Sequence, residues 1–456
     1  MKKLFLSVCV CLIAATSVYA SEVKYRRSSI YSIMALNPEF AASTEKAAAK
    51  AQVEKSFLAA PVPDKYDDHN LEQRVIDLNA ITVTPEEIAA MEDQSGKKKK
   101  KIGKLASSAA SEATGGVVGG IDENEVAAKL QKWLNENHIA NQLVGKWYNE
   151  STVDKDGSFF NYDLISERGL YDASAQEAAA AEETLGGLNK IMDAASMELI
   201  PNTFVMVSVF NYLSAEEVIE IIGATANKVG GMLGGVGGTI SAVAGAATTV
   251  AAKAMKGYFV RTNTFLFQLE WTKELQDKFE TTYWKATDLT EFHNSADFKL
   301  KYVGKTSDFT PASLKISLNP DEDAKAIDRA TVRAIDGAVE KLQKEYDVFK
   351  TLSPIMIQDG KVTAYVGMKE GIEGGDKFDV IELIMKEDGT TEMKKVGSVK
   401  AEKGKIWDNR YKAGEKIEGV ASDGKEDDAA AASLQFTTFD GKASKFMDGM
   451  MIRQTK

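Results

Sequence analysis

The run Thr203-Phe204-Val205-Met206-Val207-Ser208-Val209-Phe210 constrains the chain more than any other stretch. It has no charge, and its large side chains do not alternate with polar ones. A strand written this way is buried on both faces and sits inside a sheet rather than at its wetted surface. Around it, strand-like and helix-like patterns alternate from about Leu143 to Val303, which predicts a mixed α/β domain in a chain of the α+β class. With 44% hydrophobic residues among 456, the chain can build real cores and has length for about three domains.

Other segments declare their type. Lys24 to Ile33 mixes a basic cluster with β-branched and aromatic residues and reads as an early strand held down by the sheet. Ala41 to Ala60 is an Ala-rich helix, closed by the Pro- and Asp-rich loop Pro61 to Asp68. Asp122 with Glu125 starts another helix, and Val126, Leu130, Trp133 and Leu134 fall on one face of it. Leu143 to Tyr148 and Phe159 to Leu164 read as a hairpin around Asp156-Gly157. Two helices are expected between Asp172 and Leu199, then strands at Tyr258–Val260, Phe265–Leu269 and Phe298–Val303, with a helix at Lys273–Trp284. The clearest helix begins at Asn319-Pro320 and carries the stripe Ile327, Ile335, Val339, Leu342, Tyr346 and Phe349.

Three segments cannot contribute to a core. Lys2-Lys3, the apolar run Leu4 to Ala15 and the small-residue exit Val18-Tyr19-Ala20 are written as a secretory signal peptide. Cys9 and Cys11 are the only cysteines, so the processed chain has neither disulfide nor thiol-ligated metal. Lys97 to Lys101 and the Ser- and Gly-rich residues after it form a self-repelling linker, with contact to anionic lipid as the functional alternative. Val229 to Ala252 is free of charge, with Gly230, Gly234 and Gly238 on one spacing and Gly231 and Gly235 on another. That spacing permits close helix packing or membrane contact. The scarcity of Leu, Ile and Phe makes insertion costly, so a loosely organised surface insertion is the competing reading.

From Ile355 onward, short strands at Lys361–Val366, Lys377–Ile384, Met393–Lys400, Gly404–Trp407, Phe436–Phe439 and Met450–Arg453 follow the grammar of a small β-barrel. The organisation expected is a signal peptide 1–20, an N-terminal segment 21–92, a linker 93–121, a mixed α/β domain 122–353 with a Gly-rich insertion 229–252, and a barrel 354–456 interrupted by the low-complexity stretch 421–433.

The pattern Val362-x-x-x-Val366-Gly367, then Gly371-Ile372-x-Gly374-Gly375-Asp376-x-Phe378-x-Val380, resembles the C-terminal barrel of the flagellar assembly protein T family and related envelope modules. The resemblance covers about a fifth of the chain. It implies glycines in a tight turn between the first two barrel strands, an Asp capping that turn, and a role in envelope assembly or scaffolding. Asn202 to Val205, Ile406 to Arg410 and Gly449 to Gln454 resemble a family of exported Gram-negative proteins of unknown function. Neither likeness brings catalytic residues with it.

No catalytic constellation emerges from the residues themselves. His69, His138 and His293 are far apart in sequence and make no H-E-x-x-H pair. Gly304-Lys305-Thr306 ends like a phosphate-binding loop, but the first glycine is replaced by Lys299. Asp154, Asp156 and Gly157 fit the middle of a calcium loop whose last position, Asp163, is not the expected Glu. The net charge of −11 argues against nucleic acid as a partner. No enzymatic activity, cofactor or metal is expected. Partners are expected among envelope proteins, cell-wall components, a membrane surface or further copies of the chain, in the periplasm or peripherally at the outer membrane. Trp407, Asp408, Asn409 and Arg410 are the candidate binding residues. Trp, Asp and Arg in one turn bind by stacking and hydrogen bonds, or else they lock the barrel's own loop.

Overall fold

The computed structural model describes residues 29–60, 71, 75–94, 117–118, 121–151, 158–165, 196–197, 199–214, 258–313, 320–350, 352–385, 391–410 and 433–455. The expected signal peptide, the lysine run, His69, the calcium-loop positions Asp154, Asp156 and Gly157, the Gly-rich segment with Gly230, Gly231, Gly234, Gly235 and Gly238, nearly all of the two helices expected at 172–199, and all of 421–433 but its last residue lie outside the described residues.

The first sheet has the order β2-β1-β5-β6-β7. Strand β1 (Ser29–Leu36) runs parallel to β2 (Val75–Ile76) and to β5 (Thr203–Ser214). Strands β5, β6 (Tyr258–Leu269) and β7 (Leu300–Ser313) form an antiparallel meander, while β3 (Val117–Val118) and β4 (Ile121–Asp122) make a separate small pair. Tyr258–Val260 and Phe265–Leu269 are thus parts of one continuous strand, and the strand begun near Phe298 extends past Val303 to Ser313. The parallel ladder from Ser29↔Thr203 to Leu36↔Phe210 places the N-terminal segment beside the centre of the sheet.

Both faces of β5 are covered, as its composition requires. Val205, Val207 and Val209 pack into a core with helices α4 (Glu123–Glu136) and α5 (Ile139–Trp147). Phe204, Met206 and Phe210 face the opposite layer, built by α2 (Ala47–Leu58) and α8 (Pro320–Glu345). The short helices α1 (Pro38–Ala42), α3 (Pro85–Gln94), α6 (Lys273–Lys278) and α7 (Thr290–Asn294) fill the margins. The Asp122 carboxylate accepts the Asn124 and Glu125 N–H groups at 2.8 and 3.3 Å, so it caps α4 as the sequence predicts.

The hairpin expected at 143–164 does not form. Leu143, Val144, Trp147 and Tyr148 are all buried, and their spacing is that of a helical stripe, so α5 occupies the first half. His138 at φ 51° breaks the chain between α4 and α5. Phe159 to Tyr162 is a loop that returns over α5, with Asn161 N–H donating to Tyr148 O at 2.8 Å, and a helical turn begins at Asp163. Its rings serve the core: Tyr162 stacks on Trp284 at 4.5 Å, and Tyr148 stacks on Phe279 at 4.2 Å.

Strand β7 lies at the sheet edge, where unpaired backbone groups would otherwise invite another strand. Side chains occupy those groups instead. Asn135 bonds both the N–H and the C=O of Leu300 at 2.9 and 3.3 Å, and Gln131 accepts from Tyr302 N–H at 2.8 Å. The Tyr346 hydroxyl accepts Lys305 N–H at 2.9 Å and donates to Lys305 O at 3.1 Å, and Gly304 leaves the space its ring fills. Lys341 reaches Ser307 O at 3.0 Å.

The second sheet has the order β8-β14-β11-β12-β13-β10-β9. Its end strands, β8 (Leu352–Pro354) and β9 (Met356–Gln358), are separated only by the fully buried Ile355. One bent segment therefore supplies both edges and nearly closes a seven-stranded barrel. The remaining strands are β10 (Lys361–Ala364), β11 (Lys377–Met385), β12 (Thr391–Ala401), β13 (Thr437–Asp440) and β14 (Met451–Gln454). Val362, Phe378, Val380, Val399, Phe439 and Ile452 fill the interior. Gly404 to Trp407 is not a strand: Trp407 alone forms an isolated parallel bridge, to Gly367. Among the described residues no helix is long and apolar enough to cross a membrane.

Replacing Tyr346 by Phe removes two backbone hydrogen bonds from the β7 edge. The expected cost is ~1–3 kcal/mol of unfolding free energy, measured by denaturant titration of the full chain.

Candidate functional site

The candidate residues Trp407 to Arg410 lie where the barrel meets helix α8. The approach begins on α8, whose apolar side covers the sheet while Asp336, Glu340 and Lys344 belong to its other side. Lys369 of the barrel extends to Asp336 at 2.8 Å, with both side chains nearly buried. Lys344 bridges Glu340 at 3.1 Å and the barrel residue Glu373 at 2.8 Å. The buried pair fixes the register of barrel on helix more than it stabilises the contact, because desolvation offsets its attraction. The more exposed bridge adds little.

The turn 367–371 and the loop 406–410 are joined by hydrogen bonds. Met368 N–H donates to Trp407 O at 2.9 Å, and Lys369 N–H to Asn409 Oδ1 at 2.8 Å. Asn409 Nδ2 donates to Glu370 Oε2 at 2.7 Å, and that same oxygen accepts Gly367 N–H at 2.5 Å. Trp407 N–H donates to Thr437 Oγ1 at 3.0 Å, and the Thr437 hydroxyl in turn donates to Val366 O at 2.6 Å. Gly367 has no room for a side chain, since an added Cβ would meet Trp407 O and Asn409 Oδ1. Burial pushes the Glu370 carboxyl up to about 7, against the downward pull of its amide donors.

The four predicted residues thus divide. Asn409 and the Trp407 backbone are committed to the turn, and Asp408 is buried with both oxygens taken by the Arg410 guanidinium at 2.8 Å. Trp407 is half-buried and Arg410 exposed. Sequence reasoning missed Glu370, Lys369 and Asp336. A Glu three residues after Gly367 is half of a capping box and could have been noticed; the link to Asn409 had no local signal.

The turn features implied by the barrel resemblance are partly present. Asp376 accepts Glu373 N–H at 2.9 Å, while Gly371 and Gly375 take positive φ values. Yet β10 and β11 are not neighbours in the sheet, so this is a crossing connection and not a tight hairpin turn.

Other sequence features resolve into structure. Gly304-Lys305-Thr306 lies within β7, where Lys305 pairs with Glu123 at the start of α4. His138 Nδ1 lies 3.2 Å from Ser295 O and His293 Nε2 2.8 Å from Glu150 Oε1, which ties the loop after α7 to the start of α5 and α7 itself to the residues after α5. Tyr283 and Lys278 secure the same loop through Asp297 at 2.5 and 2.7 Å. Among the described residues no three His, Cys, Asp or Glu side chains cluster closely enough to hold a metal ion. No family model matches the chain, and no curated protein matches it.

Gly367→Ala forces the turn away from Trp407 and Asn409. Unfolding free energy should fall by ~2 kcal/mol or more in denaturant titration, with the Trp407 emission shifting towards that of a solvated indole.

Proposed function

We propose that this is an exported cell-envelope protein that acts by binding, as a scaffold or assembly component, in the periplasm or peripherally at the outer membrane. The observation that carries the reading is the nearly closed seven-stranded barrel, seated on α8 through Lys369–Asp336 and Lys344–Glu373. A small closed barrel fixed in register on a larger domain suits the presentation of a rigid surface better than the enclosure of a substrate. The Lys2-Lys3 start and the apolar run before Ala20 support export, and the likeness of 362–380 to the flagellar assembly protein T barrel supports an envelope role. Envelope proteins and cell-wall polymers are the partners this reading implies, with Trp407 and Arg410 among the contacts.

A second reading makes the chain membrane-active through 229–252. The observation in its favour is that Ser214 and Tyr258, which flank that stretch in the sequence, are register partners at the end of the β5–β6 ladder. Deleting 229–252 and measuring liposome flotation separates the two readings: unchanged association removes the second.

The leading reading predicts that cell fractionation finds the protein in the periplasmic or outer-membrane fraction, shortened by about twenty residues. Pull-down from envelope extract should retain a partner that Trp407→Ala with Arg410→Ala releases. A full-length cytoplasmic protein contradicts the proposal.

A further inference from the structure

Strands β11 and β12 are longer than the barrel needs. Strand β11 pairs with β14 from Phe378 to Ile381, and β12 pairs with β13 at Lys400 and Ala401, but the β11–β12 ladder runs on to Met385↔Thr391. Their far halves form a two-stranded ribbon, and among the described strands β11 alone pairs with Thr391 to Val396. The chain leaves this edge after β13, and the Phe446 ring seats on Gly397, where an added Cβ would meet it at 2.6 Å. Before Gly397, Glu392, Met393, Lys394 and Lys395 are all exposed, Met393 at 46%.

Such an edge is a template for another strand. On β7 the corresponding backbone groups are occupied by Asn135, Gln131, Tyr346 and Lys341. Lysines blunt many edges, but here they are drawn onto their own ribbon: Lys394 lies 3.7 Å from Glu382 and Lys395 2.5 Å from Asp379.

We propose that residues 391–395 of β12 pair antiparallel with the same residues of a second copy of this chain, about a two-fold axis at Met393, joining two ribbons into one four-stranded sheet.

Symmetry and charge select that register. Directly opposite residues of an antiparallel pair share a face, while neighbours along a strand alternate. A two-fold axis relating two identical strands therefore sets one residue opposite its own copy. An axis at Glu392, Lys394 or Lys395 sets like charges directly opposite each other, which is destabilising. An axis at Thr391, the first residue of β12, leaves a single pair within the strand. An axis at Val396 carries the copy over Gly397 to Ala401, where Phe446 and β13 already lie. Met393 remains, and its register is complementary throughout. Glu392 faces Lys394 of the second copy on each side of the axis, and Lys395 faces Thr391. Each Lys394 then lies between Glu382 of its own ribbon and Glu392 of the other. Met393 meets Met393, which covers apolar surface that the single chain leaves in water. Because Leu383 is the register partner of Met393, the four strands carry Leu, Met, Met and Leu at one level. The pairing uses neither the barrel–helix joint nor Trp407 and Arg410.

Sedimentation equilibrium of the protein as recovered from cells tests this. The parent should show a monomer–dimer equilibrium with a Kd below about 100 µM. Glu392→Lys alone, or Lys394→Glu alone, creates two like-charge pairs beside the axis and should raise the Kd at least about 10-fold. The double variant Glu392→Lys with Lys394→Glu restores opposite charges and should return the Kd to within about threefold of the parent. If circular dichroism shows a single variant unfolded, Met393→Glu, which sets two carboxylates opposite each other on the axis, is read in its place with the same expected rise. A parent that stays monomeric overturns the proposal and leaves the edge to a strand of a different protein. A dimer that the single variants leave unchanged, or that the double variant fails to restore, overturns it as well.

Discussion

The structure depends on the parallel ladder between β1 and β5. Eight residue pairs, from Ser29↔Thr203 to Leu36↔Phe210, join parts of the chain that the sequence holds far apart. Closing so long a loop costs chain entropy, but that cost grows only slowly with length. What offsets it is burial on both sides of the sheet. Tyr31, Ile33 and Ala35 enter the α4–α5 core, while Ile30 and Met34 join the cores beneath α8 and α2. Each large side chain so buried stabilises the fold by about 1.5–3 kcal/mol. Without β1, strand β5 would be an exposed edge with apolar residues on both faces.

Helix α8 connects that sheet to the barrel. Its apolar stripe, Ile327, Ala330, Ala334, Val339 and Leu342, is buried on the sheet, and Phe349 just beyond it packs edge-on to Phe204 at 4.9 Å. Its polar side holds the barrel turn by ion pairs rather than by a shared apolar core. The two attachments differ in kind. Apolar burial is non-directional, whereas ion pairs between particular side chains select one register.

Much of the architecture is legible in the sequence because it rests on local periodicity. The two-sided apolar run of β5, the stripe of α8, the Asp122 cap and most barrel strands are read from spacing alone. The expected hairpin at 143–164 fails because Leu143, Val144, Trp147 and Tyr148 form a short apolar run that fits a strand or a helix equally, and tertiary packing against Phe279 and Trp284 decides for the helix. The pairs β8/β14 and β10/β13, which close the barrel, are invisible because they join residues distant in sequence. The candidate loop is legible only as composition. Trp407 to Arg410 look like a binding turn, yet Asn409 is committed to Glu370 and Asp408 to Arg410, and nothing near either residue in sequence announces the first of those bonds.

What the fold offers for function is a positioned surface. The edge strand β7 is sealed by Asn135, Gln131, Tyr346 and Lys341, and the barrel closes through Ile355. All of this follows from a sheet that cannot assemble without its N-terminal strand. The most direct measurement is thermal unfolding, by near-ultraviolet circular dichroism, of a chain shortened to begin at Pro38. Loss of the cooperative tryptophan transition is the outcome expected if the β1–β5 ladder organises the core. A transition at the parent temperature and amplitude would contradict it.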